Sequence, residues 1–328
     1  MSRVVIFDET GGPEVLHVVD EPAGEPGPGE VRVRIEAFAV NRLDALVRAG
    51  TAPMPARLPH ARLGCEGTGT IDAVGPGVEG LAEGDAVLIT AVPDMTAGGT
   101  YAETVVLPAA RVIERPAGLG ATEAAALWVA YSTAYGALVE KAGTRPGDHV
   151  LITAASGTVG LAALQIARQI GAVPLAVSRH AAKRDALLAA GAAAVVATDE
   201  EDVVEATRRH TGGAGADVVL DSVMGPGLAA LANATRRFTG TLVTVGWLDP
   251  RPAPYPGNAI TTHRYMSFEH TLDPVAVRRI AAFLRAGLRT GALHPAVDRV
   301  FALEDVVAAH RYLEEGQQGP GKIVVTAG

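Results

Sequence analysis

The chain has 328 residues, a length that favours two domains, and 48% of the residues are hydrophobic. Its 36 acidic and 28 basic residues give a formal charge of −8, which argues against nucleic-acid binding because phosphate backbones require a basic surface. Cys65 is the one cysteine, so an internal disulfide is excluded, and no apolar run is long enough to cross a bilayer. We therefore expect a cytoplasmic protein that binds neither nucleic acid nor membrane.

The first third of the chain reads as β-rich. Residues 30–40, EVRVRIEAFAV, alternate apolar and charged side chains, which predicts a half-buried strand. Residues 67–90 carry short β-branched runs separated by glycines, a pattern typical of a small, strongly bent antiparallel barrel. A continuous helix is predicted over residues 123–142, with Thr122 as its cap and Gly143 as its stop.

From residue 149 the pattern changes to alternating strands and helices. Continuous apolar runs predict five strands, and helical patterns follow the first four of them; the runs are 149–155, 173–178, 193–198, 216–223 and 240–246. A sixth strand is possible over residues 264–270. This alternation predicts a doubly wound parallel sheet, so that the fold class is α/β with a separate β-rich domain.

The segment after the first of these strands reads AASGTVG and opens a helix, which is the context of a dinucleotide-binding turn. Ala155, Gly157 and Gly160 occupy the three glycine positions of that fingerprint, and Thr158 and Val159 complete the turn. Glycine allows the backbone to approach a pyrophosphate and the helix to pack closely on the strand. A tight turn without a ligand is the alternative, but five consecutive strands with intervening helices favour nucleotide binding.

The end of the second strand indicates which dinucleotide is bound. An NAD site places an acidic residue there to bond the ribose hydroxyl, whereas this chain has Ser178 and Arg179, followed by Lys183. Hydroxyl and cationic side chains suit a 2′-phosphate, so NADPH is predicted over NADH. The alternative is that Lys183 is a solvated charge in the first turn of the next helix.

Five motifs occur in the order and spacing of the medium-chain dehydrogenases/reductases: AVNRLDALVRAG, GCEGTGTIDAVGPGV, GGTYAETVVLP, AASGTVGLAALQIA and AHRYLEEGQQGPGKIVV. The chain most resembles the zinc-free quinone oxidoreductase branch over nearly its whole length. The resemblance implies a GroES-like catalytic domain formed by residues 1–122 and 265–328, and a Rossmann NADP(H)-binding domain formed by residues 123–264. It also implies NADPH as the cofactor and a homodimer.

The resemblance also bears on a metal site. Zinc-dependent relatives carry a glycine–histidine–glutamate triplet and an upstream cysteine, whereas the matching positions here are Gly64–Cys65–Glu66 and Asn41. These residues lack the thiolate and imidazole set that zinc prefers, so no metal is predicted. Asn41, Asp44 and Cys65 are the candidate catalytic residues, with Asn41 expected near the nicotinamide or the substrate oxygen. A purely structural thiol is the equal alternative for Cys65.

The remaining candidates divide into cofactor contacts and pocket residues. Further cofactor contacts are expected at Thr133, Ser222, Gly246, Trp247, Gly321 and Lys322. A substrate pocket is expected from Tyr101, Trp128, Trp247 and Phe268, although each tryptophan could instead fill a core. The histidines, His310 among them, show no paired spacing and are expected to be ordinary surface or partly buried residues.

These observations predict an NADPH-dependent, zinc-independent oxidoreductase that transfers hydride to a quinone or an activated α,β-unsaturated carbonyl. Such acceptors take hydride without a Lewis acid, which is the chemical reason for the substrate class. Two alternatives stay open: a reductase or redox-neutral enzyme for one biosynthetic intermediate, and an NADPH-binding sensor or structural protein.

Overall fold

The computed structural model describes residues 1–316 and 319–328, and this part of the chain forms two compact units. The first unit contains residues 1–129, 271–281 and 295–328, and the second contains residues 130–270 and 282–294. The chain therefore leaves the first unit after Val129, not at the predicted residue 122. Residues 265–270 and 282–294, which the sequence assigned to the first domain, also belong to the second unit.

Fifteen strands and eleven α-helices are present in the described residues. The strands are β1 Ser2–Ile6, β2 His17–Glu21, β3 Glu30–Val40, β4 Gly67–Val74, β5 Ala86–Ile89, β6 Thr104–Pro108, β7 Val112–Glu114, β8 His149–Ile152, β9 Val173–Ser178, β10 Ala194–Ala197, β11 Val218–Asp221, β12 Thr241–Thr244, β13 Thr261–Arg264, β14 Val297–Ala302 and β15 Lys322–Thr326. The helices are α1 Arg42–Arg48, α2 Met95–Gly98, α3 Ala121–Ala125, α4 Trp128–Tyr135, α5 Thr158–Ile170, α6 Arg184–Ala189, α7 Val203–His210, α8 Leu228–Ala234, α9 Phe268–Thr271, α10 Pro274–Thr290 and α11 Val306–Glu314.

The first unit is built on a seven-stranded sheet. Its strand order is β14-β15-β3-β4-β5-β7, and the seventh strand, β6, pairs with β3 on the edge opposite β4. The long strand β3 is the centre of this sheet because it pairs antiparallel with β4, β6 and β15 along different parts of its length. Its register breaks twice against β4, and such bulges bend a strand as the predicted barrel requires. Strand β15 brings the C-terminal segment back beside the end of β3.

The second unit is a six-stranded parallel sheet with the order β10-β9-β8-β11-β12-β13. The strand order reverses between β8 and β11, and ligands of such sheets bind outside the carboxyl ends of the strands at this point. In β8 and β12 every residue after the first is buried, as expected for strands of a sheet with both faces covered. The doubly wound sheet and the separate β-rich unit agree with the predicted fold class.

Two predicted elements differ from the structure. The helix predicted over 123–142 is divided into α3, α4 and a π-helical turn over Gly136–Lys141. Gly136, the first residue of this turn, leaves room for the buried side chain of Tyr265, because a Cβ there would lie 1.8 Å from the Tyr265 hydroxyl. The sixth strand ends at Arg264 and does not extend to residue 270, because residues 268–271 form a short helix.

None of the helices formed by residues 1–316 and 319–328 combines the length and the apolar character needed to cross a membrane.

Candidate active site

The start of α1 carries two of the candidate catalytic residues. Asn41 is the N-cap, with an extended backbone, and its N–H donates to Oδ2 of Asp44 at 2.8 Å. The Asp44 carboxylate thereby satisfies the Asn41 N–H, which has no partner within the helix. Asn41 is 9% exposed, whereas Asp44 is fully buried. The local motif N-x-x-D therefore fixes the backbone that presents the Asn41 amide.

The Asn41 amide lies in a buried cluster with Glu66 and Lys322. The Lys322 ammonium donates to Oδ1 of Asn41 at 2.7 Å and pairs with Oε1 of Glu66 at 2.8 Å. Nδ2 of Asn41 donates to the same glutamate oxygen at 3.0 Å, and the Val129 N–H donates to the other oxygen at 2.7 Å. Because the cation faces Oδ1 and the anion faces Nδ2, the amide can have only one orientation.

A second buried chain runs from Asp44 to the surface. The Tyr101 hydroxyl contacts Oδ2 of Asp44 at 3.0 Å and Nε2 of His310 at 3.2 Å, and Nδ1 of His310 contacts the Arg48 guanidinium at 3.1 Å. Arg48 also forms an ion pair with Glu314. An arginine can only donate, so Nδ1 of His310 must accept and Nε2 must carry the ring proton. Each bond of the chain then points toward Asp44.

Burial sets the protonation of this chain. Desolvation raises the pKa of Asp44 to about 7, against the lowering effect of the Asn41 and Tyr101 hydrogen bonds. Desolvation and the adjacent Arg48 charge lower the pKa of His310 to about 3. Oδ1 of Asp44 is buried without a hydrogen-bond partner in the described residues. Since Oδ2 already accepts two bonds, a proton taken up by Asp44 resides on Oδ1.

Cys65 does not form a metal site with its neighbours. Nδ2 of Asn41 is 3.9 Å from its sulfur, and burial together with Asp44 raises the pKa of the thiol well above its ordinary value. A neutral thiol and an amide are poor zinc ligands, and the Lys322 ammonium in the same cluster repels a cation. Residues 1–316 and 319–328 contain no group of three His, Cys, Asp or Glu side chains placed to hold a metal ion.

The turn between β8 and α5 has the geometry that a pyrophosphate requires. Gly157 is the N-cap of the thirteen-residue helix α5 and is exposed. A Cβ on Gly160 would lie 2.6 Å from the Ala154 carbonyl oxygen, so only glycine allows the helix to pack this closely on the turn. The free N–H groups and the positive end of the helix dipole suit an anionic ligand. The turn therefore fits the phosphates of a dinucleotide.

The residues that follow β9 flank this turn. The ammonium of Lys183 contacts the Ser156 hydroxyl at 3.0 Å, which places its charge beside the glycine turn. Arg179 is exposed, and the Ser178 hydroxyl bonds with the backbone of His180. No carboxylate occupies the end of β9, where an acidic residue of an NAD site would be.

The other end of the ligand edge is formed by the residues after β11, β12 and β13. Asp221 is fully buried, and the Thr153 hydroxyl and the N–H groups of Val223 and Met224 donate to its carboxylate. The Ser222 hydroxyl is buried without a partner in the described residues. The Arg264 guanidinium stacks 4.9 Å from the centre of the half-buried Trp247 ring.

Several sequence-predicted site residues have other positions. Tyr101 and Trp128 are 0% and 1% exposed, so both pack in the interior and offer no surface to a substrate. Lys322 was expected to contact the cofactor, yet its ammonium is held inside by Asn41 and Glu66. Gly321 is buried, with its φ of 144° and the backbone of Asp298 where a Cβ would lie, so it serves close packing.

Two other predicted residues, Phe268 and Thr133, keep part of their surface exposed. Phe268 is half-buried at the start of α9, and Thr133, on α4, is 9% exposed. Three residues of these clusters, Glu66, His310 and Arg264, were not among the sequence-predicted site residues. His310 is fully buried and bonded on both ring nitrogens, so the expected surface or partly buried position is wrong. Its partners are distant in sequence, and no local spacing could have revealed them.

Comparisons with known proteins give the family. Residues 27–117 match the family model described as the alcohol dehydrogenase GroES-like domain, and residues 190–325 match the model described as zinc-binding dehydrogenase. A quinone oxidoreductase from Lama guanicoe is 31% identical over 334 residues, which cover 99% of this chain and 97% of the relative.

Solved structures agree with this result. The structure of an NAD-dependent alcohol dehydrogenase is 36% identical, with a TM-score of 0.87, and the match covers 99% of this chain and 100% of the other. The quinone oxidoreductase of Escherichia coli complexed with NADPH is 27% identical, with a TM-score of 0.89 and the same coverage. The resemblance inferred from the motifs and the GroES-like plus Rossmann fold class are thereby confirmed. The chain belongs to the medium-chain dehydrogenase/reductase superfamily, in its quinone oxidoreductase branch.

Proposed function

We propose that this oxidoreductase uses NADPH, without a metal ion, to reduce a quinone or an activated α,β-unsaturated carbonyl. The observation that carries the proposal is the cluster of Asn41, Glu66 and Lys322. At the positions where zinc-dependent relatives carry metal ligands, this chain has an amide held in one orientation and a neutral thiol. An amide stabilises a developing oxyanion less than a metal ion does, so the acceptor must itself be reactive toward hydride.

The residues of the second unit fit NADP(H). The turn of Ala155, Gly157, Thr158, Val159 and Gly160 would hold the pyrophosphate, and Lys183 with Arg179 and Ser178 would hold the 2′-phosphate. The bound cofactor would supply the hydride. We propose Ser222, Gly246 and Trp247 as further contacts, since they follow β11 and β12 at the carboxyl edge of the sheet.

Asn41 would position the acceptor oxygen. Its Oδ1 and one N–H are used by Lys322 and Glu66, so the donor left for a ligand is the second hydrogen on Nδ2, which now lies toward the Cys65 sulfur and the Ala39 carbonyl. Both of these contacts are long, at 3.9 Å and 3.4 Å, so a better acceptor can replace them at little cost. Lys322 and Glu66 act through Asn41 and are positioning residues.

The activity is tested by steady-state oxidation of NADPH with a panel of quinones, enones and simple ketones. We expect turnover with quinones and enones only. The variant Asn41→Ala should lower kcat/KM by about 100- to 1000-fold, the loss typical of one oriented donor, while NADPH binding is kept. Turnover of simple ketones, or the same activity in the variant, would contradict the proposal.

The cofactor preference has a separate test. Fluorescence titrations with NADPH and NADH should give tighter binding of NADPH, and Lys183→Ala should weaken NADPH binding while leaving NADH binding nearly constant. Arg209→Ala is the matched control, because it removes one charge from a surface ion pair of the same unit. Equal affinities for the two cofactors in the wild-type protein would refute the assignment.

We also propose a homodimer. Strand β13 is at the end of the parallel sheet and pairs with β12 alone among the described strands, so its outer edge can pair with a second copy. Light scattering after size-exclusion chromatography should give twice the chain mass of 33.6 kDa. A monomer at working concentrations would contradict it.

A further inference from the structure

Arg264 is a cation without a counter-ion at the ligand edge of the parallel sheet. It is the last residue of β13, and one terminal nitrogen donates to the Gly246 carbonyl at 3.0 Å and contacts the Met224 sulfur at 3.6 Å. No carboxylate of residues 1–316 and 319–328 forms an ion pair with it. The side chain is exposed and stacks on Trp247, so its charge has a fixed position that a ligand can reach.

Two carboxylates of the same unit, Asp221 and Asp249, already have hydrogen-bond partners. Asp221 lies close enough to favour the charge of Arg264, but three donors saturate it in the interior. Asp249, in the loop after β12, binds Arg251 through both of its oxygens, which lowers its pKa to about 2. Partial burial lowers the pKa of Arg264, and the charge of Asp221 opposes this shift only in part.

The contacts of Arg264 leave one edge of its guanidinium open. Both hydrogen bonds use the same terminal nitrogen, so Nε–H and the other terminal NH₂ have no protein acceptor in the described residues. These two nitrogens present parallel N–H bonds, the fork that binds a carboxylate in a bidentate manner. Stacking on Trp247 holds the plane of the fork, so little side-chain entropy is lost when an anion binds.

An oxyanion at this position could come from the substrate or from the cofactor phosphates, and the sheet order distinguishes them. The phosphate turn follows β8, and β11 and β12 lie between β8 and β13. Three strand spacings of about 4.8 Å separate the two strands by roughly 14 Å. A pyrophosphate held at Gly157 is therefore too far from Arg264. The same distance does not exclude an acceptor that binds at another point of the ligand edge.

We propose that Arg264 binds a carboxylate of the acceptor, so that the preferred substrates are α,β-unsaturated compounds that carry a free carboxylate. This inference rests on the proposed reductase function and names its substrate class. The chemistry is the same hydride transfer: hydride forms the new C–H bond at the β-carbon, the electron pair of the double bond moves to the α-carbon, and a proton from solvent completes the product. Arg264 takes no part in these bonds and acts on specificity.

The test compares acids with matching amides. The protein loaded with NADP⁺ is titrated by calorimetry with the saturated acids from butanoate to octanoate and with their primary amides, none of which can be reduced. Binding of the acids should exceed binding of the amides, and Arg264→Gln should weaken acid binding by about 10- to 100-fold. Arg264→Lys should be intermediate, because an ammonium lacks the fork. Arg251→Gln is the control for removal of a charge nearby.

The kinetic counterpart uses 4-oxo-2-enoates and the matching 4-oxo-2-enamides with NADPH, in which a ketone activates the double bond and only the carboxylate or amide differs. The acid-to-amide ratio of kcat/KM should fall at least about tenfold in Arg264→Gln and stay within about twofold of the wild type in Arg251→Gln. If the wild type reduces no acceptor, the proposed function fails, and the calorimetric titration still decides the role of Arg264.

Three results would overturn the inference. Equal binding of acids and amides by the wild type would show that no carboxylate site exists. Weaker NADP⁺ binding in Arg264→Gln would assign the guanidinium to the cofactor. A change of oligomeric state in that variant, with acid binding kept, would assign it to a subunit contact.

Discussion

Removal of the Lys322 ammonium should destabilise the protein strongly. Glu66 and Lys322 are 1% and 2% exposed, so Lys322→Met leaves a carboxylate in the interior without its cation. Removal of one partner of a buried ion pair costs about 3–5 kcal/mol, and the N–H donors from Asn41 and Val129, which remain on Glu66, favour the lower end of that range. We therefore expect a loss of about 3 kcal/mol in the free energy of unfolding at neutral pH.

The assay is urea unfolding followed by circular dichroism at neutral pH. The double variant Glu66→Gln/Lys322→Met removes the charge outright and should be more stable than Lys322→Met alone. Lys141→Met is the matched control: its ion pair with Glu269 is partly exposed and should contribute less than about 1 kcal/mol.

A loss below about 1 kcal/mol for Lys322→Met, equal to that of Lys141→Met, would refute this reasoning. It would show that the ammonium is not needed to compensate Glu66, and the fixed orientation of the Asn41 amide would then lose its physical basis.

Three other predictions concern the second unit and the buried chain. Gly136→Ala should cost more than about 2 kcal/mol because its Cβ would overlap the Tyr265 hydroxyl, whereas Gly227→Ala, which enters open space, should be nearly neutral; thermal unfolding compares them, and equal effects would contradict the packing argument. Burial raises the pKa of Asp44 from 3.8 to about 7, so the folded state holds the extra proton and the contribution of Asp44 to stability falls as pH rises through that range. The stability advantage of the wild type over Asp44→Asn should accordingly shrink by about 2–3 kcal/mol between pH values near 5 and near 8, and an advantage that grows would reverse the sign of the argument. Gly160→Ala should disturb the packing of α5 on the phosphate turn. The free energy of NADPH binding, measured by fluorescence titration, should therefore decrease in magnitude by more than the free energy of unfolding does. A variant that binds NADPH as tightly as the wild type would remove the steric argument for this glycine.

The parallel sheet could be predicted from sequence because its signals are local. Each strand is a continuous apolar run and each helix follows within a few residues, so the periodicity carries the topology. The glycine turn could be recognised for the same reason, since Gly157 and Gly160 lie three residues apart at a strand–helix junction.

The buried polar clusters could not be predicted in this way. Lys322 meets Asn41 across 281 residues of sequence, and His310 meets Tyr101 across 209. A lysine in GPGKIVV has the local pattern of an exposed strand end, and only the pairing of β15 with β3 places it inside. Tyr101 was misjudged for the same reason, because an aromatic residue in a core and one in a pocket have the same local sequence.

Metal-free reduction of an acceptor by NADPH can be tested through its stoichiometry, measured as NADPH oxidised against product reduced in an anaerobic mixture of enzyme, NADPH and a quinone or enone. Each NADPH consumed should yield one hydroquinone or one saturated carbonyl, at a rate that chelators do not change and that Asn41→Ala lowers. Binding of NADPH without acceptor-dependent oxidation, or a rate abolished by chelation and restored by zinc, would contradict it.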